Sequence, residues 1–143
     1  MQISAYSDYS IRVLMHAALR APERSTIDQV AQTFGLSRHY LVKIVHHLGR
    51  NGYLETQRGI GGGFILAQEP KNICLGDIVR DGEESSHVID CRDQKQNLCR
   101  IFSACRLKSV LDEAASAFFS VLDRYTLADL LQQSSKMKTV LGI

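Results

Sequence analysis

Residues 26–50 contain two short amphipathic helix patterns joined by a tight glycine turn, and this pairing constrains the fold more than any other feature. Thr26 is followed three residues later by Gln29, which is the spacing of a capping box at a helix start. Apolar residues then recur every three or four positions until Gly35 ends the first pattern and Ser37 begins the second. Two short helices joined in this way are typical of a helix-turn-helix.

The second helix pattern, from Ser37 to Arg50, is rich in basic residues and contains no acidic one. A recognition helix places its N-terminal side chains in the major groove of DNA, where cations and hydroxyls reach base edges and phosphates. An ordinary helical hairpin with a solvated basic face has the same pattern, so the helices alone do not decide between these two interpretations. The residues predicted to contact the major groove are Ser37, Arg38, His39, Tyr40 and Lys43.

A glycine-rich hairpin pattern follows the second helix. Residues 53–57 and 64–67 are predicted strands, and the sequence RGIGGG lies between them. Consecutive glycines allow positive φ and let the backbone approach a ligand closely. A strand, a glycine tip and a strand placed directly after a helix-turn-helix give the order of a winged helix, so several independent cues favour DNA binding. The predicted wing contacts, with Arg58 suited to a minor groove, are Arg58, Gly59, Gly61, Gly62 and Gly63.

Residues 4–20, ahead of these helices, have an amphipathic helix pattern in which Ser4 or Ser7 can be the N-cap. A second stripe on this helix is polar, and its members at intervals of four residues are Asp8, Arg12, His16 and Arg20. An acidic and a basic residue at this spacing form an ion pair worth about 0.2–0.5 kcal/mol on a helix surface. The pattern by itself therefore predicts an exposed ion pair for Asp8.

Three cysteines, Cys91, Cys99 and Cys105, lie within fifteen residues of a polar segment that has no clear period. An iron–sulfur cluster, a zinc ion or a disulfide can order such a segment. The chain has no signal-peptide pattern and no membrane-spanning apolar run, so we expect a cytoplasmic protein, in which disulfides are uncommon. A zinc site completed by His87 and a thiol switch remain alternatives. Cys74 lies in an apolar segment and is interpreted as a small core residue.

A long amphipathic pattern follows the cysteine segment and traces one helical face over about four turns. Its apolar positions are Leu107, Val110, Leu111, Ala114, Phe118, Val121 and Leu122. Such a face either covers the core of its own chain or packs against a second copy. A short closing helix is predicted near residues 127–131, and residues 134–143 are expected to be a loosely held tail.

The sequence gives no support to an enzymatic function. It contains no CxxC pair, no glycine pattern of a dinucleotide-binding fold and no paired catalytic carboxylates. The expected fold is mainly α with a small β wing, in which a winged helix-turn-helix is joined to a long C-terminal helix.

This order of motifs resembles the Rrf-two family of bacterial winged-helix regulators over nearly the whole chain. The stretches that carry the resemblance are SDYSIRVLMHAAL, LSRHYLVKIVHHLGRNGYL, RGIGGGFILA and TLADLL, together with the cysteine triplet. The resemblance implies a homodimer built on the long helix and bound to double-stranded DNA at a pseudo-palindromic operator. It also implies a DNA-binding region over residues 1–80, a cluster-binding loop over 81–106 and a dimerisation and closing region over 107–133, followed by the tail at 134–143.

Two positions separate this chain from the family members that regulate cluster biogenesis and carry a 2Fe-2S cluster. Those regulators have a His three residues after the last cysteine, where this chain has Lys108. They also have a Glu in the recognition helix where this chain has Val42, so different DNA is expected. These two differences disfavour that group. Regulation of cluster biogenesis, redox state or iron status is kept as an alternative.

The sequence is more similar to the nitric-oxide-sensing repressors of the family. This similarity implies a 4Fe-4S cluster with three thiolate ligands, Cys91, Cys99 and Cys105, and a carboxylate ligand, Asp8 of the partner subunit. It implies that operator binding changes when the cluster reacts with nitric oxide or is lost. For Asp8 the resemblance replaces the surface ion pair with a ligand role.

Overall fold

The structure is a computed structural model that describes residues 3–83, 101 and 104–143. The elements, in chain order, are α1 (Ala5–Arg20), α2 (Ile27–Phe34), α3 (Arg38–Arg50), β1 (Leu54–Gln57), β2 (Gly63–Leu66), a 3-10 turn (Pro70–Asn72), α4 (Leu75–Gly82), α5 (Arg106–Leu122), α6 (Leu127–Leu130) and α7 (Ser134–Leu141). The two strands form one antiparallel pair. This architecture confirms the predicted fold class of a mainly helical chain with a small β wing.

The helix boundaries around the turn follow from local capping chemistry. The Gln29 backbone N–H donates to Thr26 Oγ1 over 3.2 Å, and the Thr26 N–H donates to Gln29 Oε1 over 2.9 Å, so the predicted capping box is confirmed. Gly35 ends α2 with a φ of 65°, a left-handed conformation that disfavours residues with a side chain. Ser4 is confirmed as the N-cap of α1, where its hydroxyl accepts from the Ser7 N–H.

One hydrophobic core joins the helices α1 to α4 to the wing. Helix α1 packs against α3, α4 and β2, while α3 also packs against α2 and β1. The fully or almost fully buried side chains of this core include Val13, Leu14, Val30, Leu41, Ile44, Leu48, Phe64, Ile73, Ile78 and Leu127. Their burial fixes the angle between the two helices of the motif and the position of the wing beside them.

The wing is attached to the rest of the chain at its base. In the β1–β2 pair, Thr56 lies opposite Phe64. Phe64 also exchanges two backbone hydrogen bonds with Ser25, with N–O distances of 2.8 and 2.9 Å. A Cβ on Gly63 would come within 2.5 Å of the Ser25 carbonyl oxygen, so this close approach requires glycine. The segment between α1 and α2 thus acts as a third, very short strand beside the wing.

The end of α4 is bound to the start of α1. Glu83 Oε1 accepts hydrogen bonds from the Ser7 hydroxyl over 2.6 Å and from the Ser4 backbone N–H over 2.8 Å. Partial burial opposes ionisation of this carboxyl, but the bonds from Ser7 and Ser4 outweigh it and hold the pKa of Glu83 below its usual value. A Cβ on Gly82 would lie 2.5 Å from the Ser7 hydroxyl, so the two helix ends meet without room for a larger residue.

Helix α5 differs from the other long helices because none of its residues is buried. Leu107 is 60% exposed, and Val110 and Val121 also present large exposed apolar surfaces. Among the described residues it packs mainly against α4, where the Arg80 guanidinium lies 4.7 Å from the centre of the Phe119 ring. Most of the apolar face predicted from the sequence is therefore left uncovered by the described part of the chain.

The structure corrects one expectation for the C-terminal half and adds a helix in a second segment. Cys74 is half-buried rather than a core residue, because it precedes α4 at an isolated bridge with Thr126 and its thiol lies 3.9 Å from Asp123. The segment expected as a loose tail contains α7, which ends at Gly142 with a φ of 70°. No side chain of α7 is buried. Its sequence therefore carries no strong apolar period, and periodicity could not predict the helix.

Candidate nucleic-acid interface

The outer face of α3 is exposed and basic. Among the residues predicted to contact the major groove, Ser37, Arg38, His39 and Lys43 are exposed, and His46 and Arg50 extend the same surface. The inner face is fully occupied by the core, since Leu41, Ile44, Val45 and Leu48 are buried. A helix held from one side and basic on the other can enter a major groove without losing its packing.

Arg38 is held by a neighbouring helix. Its Nε donates to Asp28 Oδ1 in α2 over 2.6 Å, and both side chains remain well exposed. Such an exposed pair contributes at most about 1 kcal/mol to stability, so its main effect is to fix the orientation of the guanidinium. Asp28 also places a negative charge at the start of the DNA-binding face, a feature that sequence analysis missed because the two residues lie on different helices.

Tyr40 lies in an aromatic group between α1 and α3. Its ring makes edge-to-face contacts with Tyr9 and Tyr6, with centroids 5.7 and 6.2 Å apart. Tyr6 also meets the edge of His47, at 5.4 Å. Burial and the neighbouring Tyr40 raise the pKa of Tyr6. Tyr40 and His47 are thus half-buried links between the two helices and less accessible than Arg38, His39 and Lys43.

The wing has the exposed glycine tip that the sequence predicts. Gly59, Gly61 and Gly63 have φ values of 94°, 75° and 147°. Gly62 has no room for a side chain, because a Cβ there would lie 2.5 Å from the Gln57 carbonyl oxygen. Arg58 and Gly59 are exposed, which fits their predicted role at a groove. Sequence analysis missed Ile60, whose side chain is fully exposed at the tip.

His16 belongs to the polar stripe of α1 but does not lie on the surface. It is completely buried, and its Nδ1 lies 2.8 Å from the Ser25 hydroxyl. Burial, reinforced by the positive charge of Arg20, lowers the pKa of His16 to about 4. The ring is therefore neutral at pH 7 and connects α1 to Ser25, which binds the base of the wing. The spacing of four residues did not reveal this burial, because α1 buries polar as well as apolar side chains along its 16 residues.

The predicted ligands of a metal group are only partly described by the structure. Cys91, Cys99 and His87 lie outside the described residues. Cys105 is the N-cap of α5, a half-buried free thiol. Asp8 lies in the first turn of α1, where its carboxylate pairs with Arg12 Nη2 over 2.9 Å, as its spacing alone predicts.

A second thiol lies in the part of the chain that the structure describes. The ligand atoms of Cys74, Asp77 and Asp123 lie within 4.8 Å of one another. Arg80 makes two hydrogen bonds to Asp123, of 2.8 and 2.6 Å, and these bonds hold the pKa of the Asp123 carboxyl below its usual value. Because a guanidinium already occupies this carboxylate, the group is an ion-pair cluster that joins α4 to the end of α5.

No helix within the described ranges is both long and apolar enough to cross a membrane.

Comparison with known proteins agrees with this geometry. The family model described as Rrf2, an iron-dependent transcriptional regulator, matches residues 3–133. The chain is 42% identical over 142 residues to the HTH-type transcriptional regulator NsrR of Bacillus subtilis (strain 168), across 99% of this chain and 97% of that protein. The regulator of the same name from Geobacillus kaustophilus (strain HTA426) is also 42% identical, over 99% of this chain and 97% of its own length.

Solved structures show the same architecture. IscR of T. potens has a TM-score of 0.74 at 28% identity, with 96% of this chain and 91% of that chain covered. CymR, the global cysteine regulator of B. subtilis, has a TM-score of 0.71 at 27% identity, with 91% and 95% covered. The resemblance stated from the sequence is thus confirmed, and no enzymatic activity is assigned. The chain belongs to the Rrf2 family of winged-helix, DNA-binding transcriptional regulators.

Proposed function

We propose that this regulator is a homodimeric repressor that binds a pseudo-palindromic operator and responds to nitric oxide through an iron–sulfur cluster, of the 4Fe-4S type. The observation that carries the proposal is the cysteine triplet in a chain that is similar over almost its full length to regulators named NsrR. The proposed ligands are Cys91, Cys99, Cys105 and Asp8 of the partner subunit. When bound, the cluster would supply iron that reacts with nitric oxide.

The position of Cys105 fits a thiolate ligand. The residue caps the N-terminus of α5, a helix of 17 residues, and its side chain makes no capping hydrogen bond. Backbone N–H groups at a helix start favour a negative charge, and thiolate is the form that binds metal. Thiolates are also the ligands that iron–sulfur clusters normally use. Cys105 is therefore a suitable ligand held at the end of a long, regular element.

Asp8 fits a ligand that a second subunit can reach. Its side chain is 38% exposed, and its ion pair with Arg12 lies on the helix surface. An exposed pair of this kind contributes little to stability, so exchanging Arg12 for a metal costs little. A carboxylate is a harder ligand than a thiolate, and at an iron–sulfur centre we expect it to be the one displaced most readily.

Helix α5 supports the proposed dimer. Leu107, Val110 and Val121 are exposed along the helix, and its other large apolar side chains are only half-buried, although the chain has a core without them. Exposed apolar surface on one helix is a feature of association sites in soluble proteins. Pairing two copies through α5 would place two α3 helices on one duplex, where half-sites lie about 34–36 Å apart. A small rotation between subunits would then misplace one recognition helix and weaken binding.

Anaerobic purification tests the cofactor and the signal together. We expect a coloured protein with visible charge-transfer absorption and stoichiometric iron and sulfide, and an operator affinity that changes on adding nitric oxide. Colourless protein with stoichiometric zinc would favour the zinc alternative with His87. Protein that lacks iron yet binds the operator with unchanged affinity before and after nitric oxide would contradict the proposal.

Asp8 and Arg12 offer a matched pair of variants. Asp8→Ala and Arg12→Ala both remove the same surface ion pair, but only Asp8→Ala removes the proposed ligand. We expect Asp8→Ala to make the cluster labile or to change its response to nitric oxide, while Arg12→Ala keeps the wild-type spectrum. Equal effects of the two variants would reduce Asp8 to a surface residue.

Mixed dimers test whether Asp8 acts across the subunit boundary. A dimer of one Asp8→Ala subunit and one Cys105→Ser subunit has one complete ligand set if the carboxylate comes from the partner. It has no complete set if each chain uses its own carboxylate. We expect such mixed dimers to hold about half the wild-type iron. Dimers with both substitutions in one subunit give the opposite result: they have no complete set if the carboxylate comes from the partner, and one complete set if each chain uses its own.

Regulation of cluster biogenesis is the second candidate function, because the resemblance stated from the sequence includes regulators of that process. In this chain Lys108 occupies the position expected for a His ligand and lies 3.9 Å from Asp112, one turn further along α5. Imidazole is the ligand that suits iron at this position and this chain lacks it there, so that cluster type is disfavoured. A 2Fe-2S spectrum that is unchanged in Asp8→Ala would favour the second function.

A further inference from the structure

Val42 is an unusual residue on the DNA-binding face of α3. Its side chain is 42% exposed, in the middle of a helix whose apolar residues are otherwise directed into the core. Its neighbours one turn before and after are Arg38 and His46, and both are exposed. Val42 therefore lies among basic side chains, at the centre of the surface assigned to DNA.

The fold does not require valine at this position. A β-branched side chain loses χ1 freedom in a helix and is a weaker helix former than Leu, Lys or Arg. Because Val42 is partly exposed in the free protein, its side chain contributes little hydrophobic stabilisation to the fold. Single exposed apolar residues are common on protein surfaces, but this one lies on the helix face that a helix-turn-helix places in the DNA major groove. The side chain can thus become buried only when the helix is bound.

The chemistry of the groove limits what valine can recognise. The major-groove edges of the bases carry hydrogen-bond donors and acceptors, and the one apolar feature is the 5-methyl group of thymine. Valine has no donor or acceptor, so against any other base edge it would remove water from polar atoms without replacing their hydrogen bonds. Against a thymine methyl group it buries apolar surface on both sides.

We infer that Val42 contacts the 5-methyl group of a thymine in each half-site and makes that base pair a determinant of operator choice. The inference rests on the proposed function, because it requires α3 to lie in the major groove of a specific operator. The surrounding basic residues, Arg38, Lys43 and His46, supply contacts to phosphates and polar base edges that valine cannot make.

Replacing thymine with deoxyuridine tests the contact, since it removes the methyl group and keeps every polar atom of the base. An operator is first selected from random duplexes with the wild-type protein, and each thymine of one half-site is then exchanged singly. We expect one position at which the exchange weakens wild-type binding about four-fold, the effect of losing one buried methyl-sized group. Val42→Ala should bind the two duplexes with nearly equal affinity.

Two further variants complete the design. Lys43→Ala, the matched control on the same face, should bind both duplexes more weakly by the same factor and reduce the salt dependence of binding. Val42→Thr keeps the shape and one methyl group, so it should retain part of the discrimination even if Val42→Ala folds poorly. A wild type indifferent to every exchange, or a Val42→Ala variant that keeps the full four-fold difference, overturns the inference. A wild-type protein that selects no consensus overturns the proposed function itself.

Discussion

The DNA-binding region and α5 differ in where their apolar side chains lie. From α1 to α4 the large apolar residues are mostly buried, and Val13, Leu14 and Leu41 have no exposed surface. In α5, a helix of similar length to α1, no residue is buried. The first region therefore specifies its own structure, whereas α5 keeps its apolar face available for association.

Phe64→Ala should destabilise the chain most. The ring is buried where β2, α1 and the Ser25 segment meet, and its loss leaves a cavity. We expect the free energy of unfolding, measured by urea denaturation, to fall by about 3–5 kcal/mol. Ile60→Ala, in the same wing but fully exposed, is the matched control and should change it by no more than about 0.5 kcal/mol. Similar losses for both variants would contradict the described packing.

Acid should destabilise the same region through His16. Its pKa is lowered from 6.5 to about 4 in the folded chain, so folding favours the neutral ring. The resulting stability is complete above pH 6.5 and is lost as the pH falls toward 4. The loss is at most about 3 kcal/mol. Urea titrations of His16→Gln and of the exposed control His39→Gln should show a flatter pH dependence only for the first variant.

Thr26→Ala should have a smaller effect, because it removes one side of the capping box and leaves the core intact. We expect a loss of about 1 kcal/mol in the free energy of unfolding. Thr26→Ser keeps the hydroxyl and should restore most of the stability. If Thr26→Ser were as unstable as Thr26→Ala, the capping bond to Gln29 would not be the cause.

Val110→Lys should have the smallest effect on folding and a large effect on association. The side chain is half-exposed in the isolated chain, so the charge costs little there, but in a dimer built on α5 it would be buried without a partner. We expect sedimentation to show dissociation of the proposed dimer, with operator affinity reduced at least ten-fold. Ser109→Lys makes the same charge change at a neighbouring exposed polar residue and should leave both quantities nearly unchanged.

The elements that could be predicted from the sequence are those that local chemistry determines. The capping residues Thr26 and Gly35 mark the limits of α2, and the glycines of the wing mark the hairpin. What could not be predicted depends on contacts between distant segments. The burial of His16 could not be predicted, because its partner, Ser25, belongs to the connection after α1. The Arg38–Asp28 pair was missed for a related reason.

The candidate site was predictable only in part. Periodicity separated the exposed basic face of α3 from its buried side, and the exposure of Arg38, His39 and Lys43 agrees with that separation. The same periodicity places Val42 on the exposed face, in line with Arg38 and His46, although apolar residues are normally assigned to the core. Ile60 lies in the hairpin tip, where periodicity gives no information. The roles of Asp8 and the cysteine triplet come from resemblance, and they stay predictions.

Hydrogen bonds near both ends of α1 connect the end of α4 to the base of the wing. Glu83 is tied to Ser7 in the first turn of α1, and the chain continues from Glu83 into the cysteine segment. His16, nine residues or about 14 Å further along the axis, is tied through Ser25 to the wing. A tilt of about 5° at the first end displaces the second by about 1 Å, which is enough to break a hydrogen bond of normal length. A tilt of α1 at Glu83 would thus reach the base of the wing, and it would also displace α3, against which α1 packs.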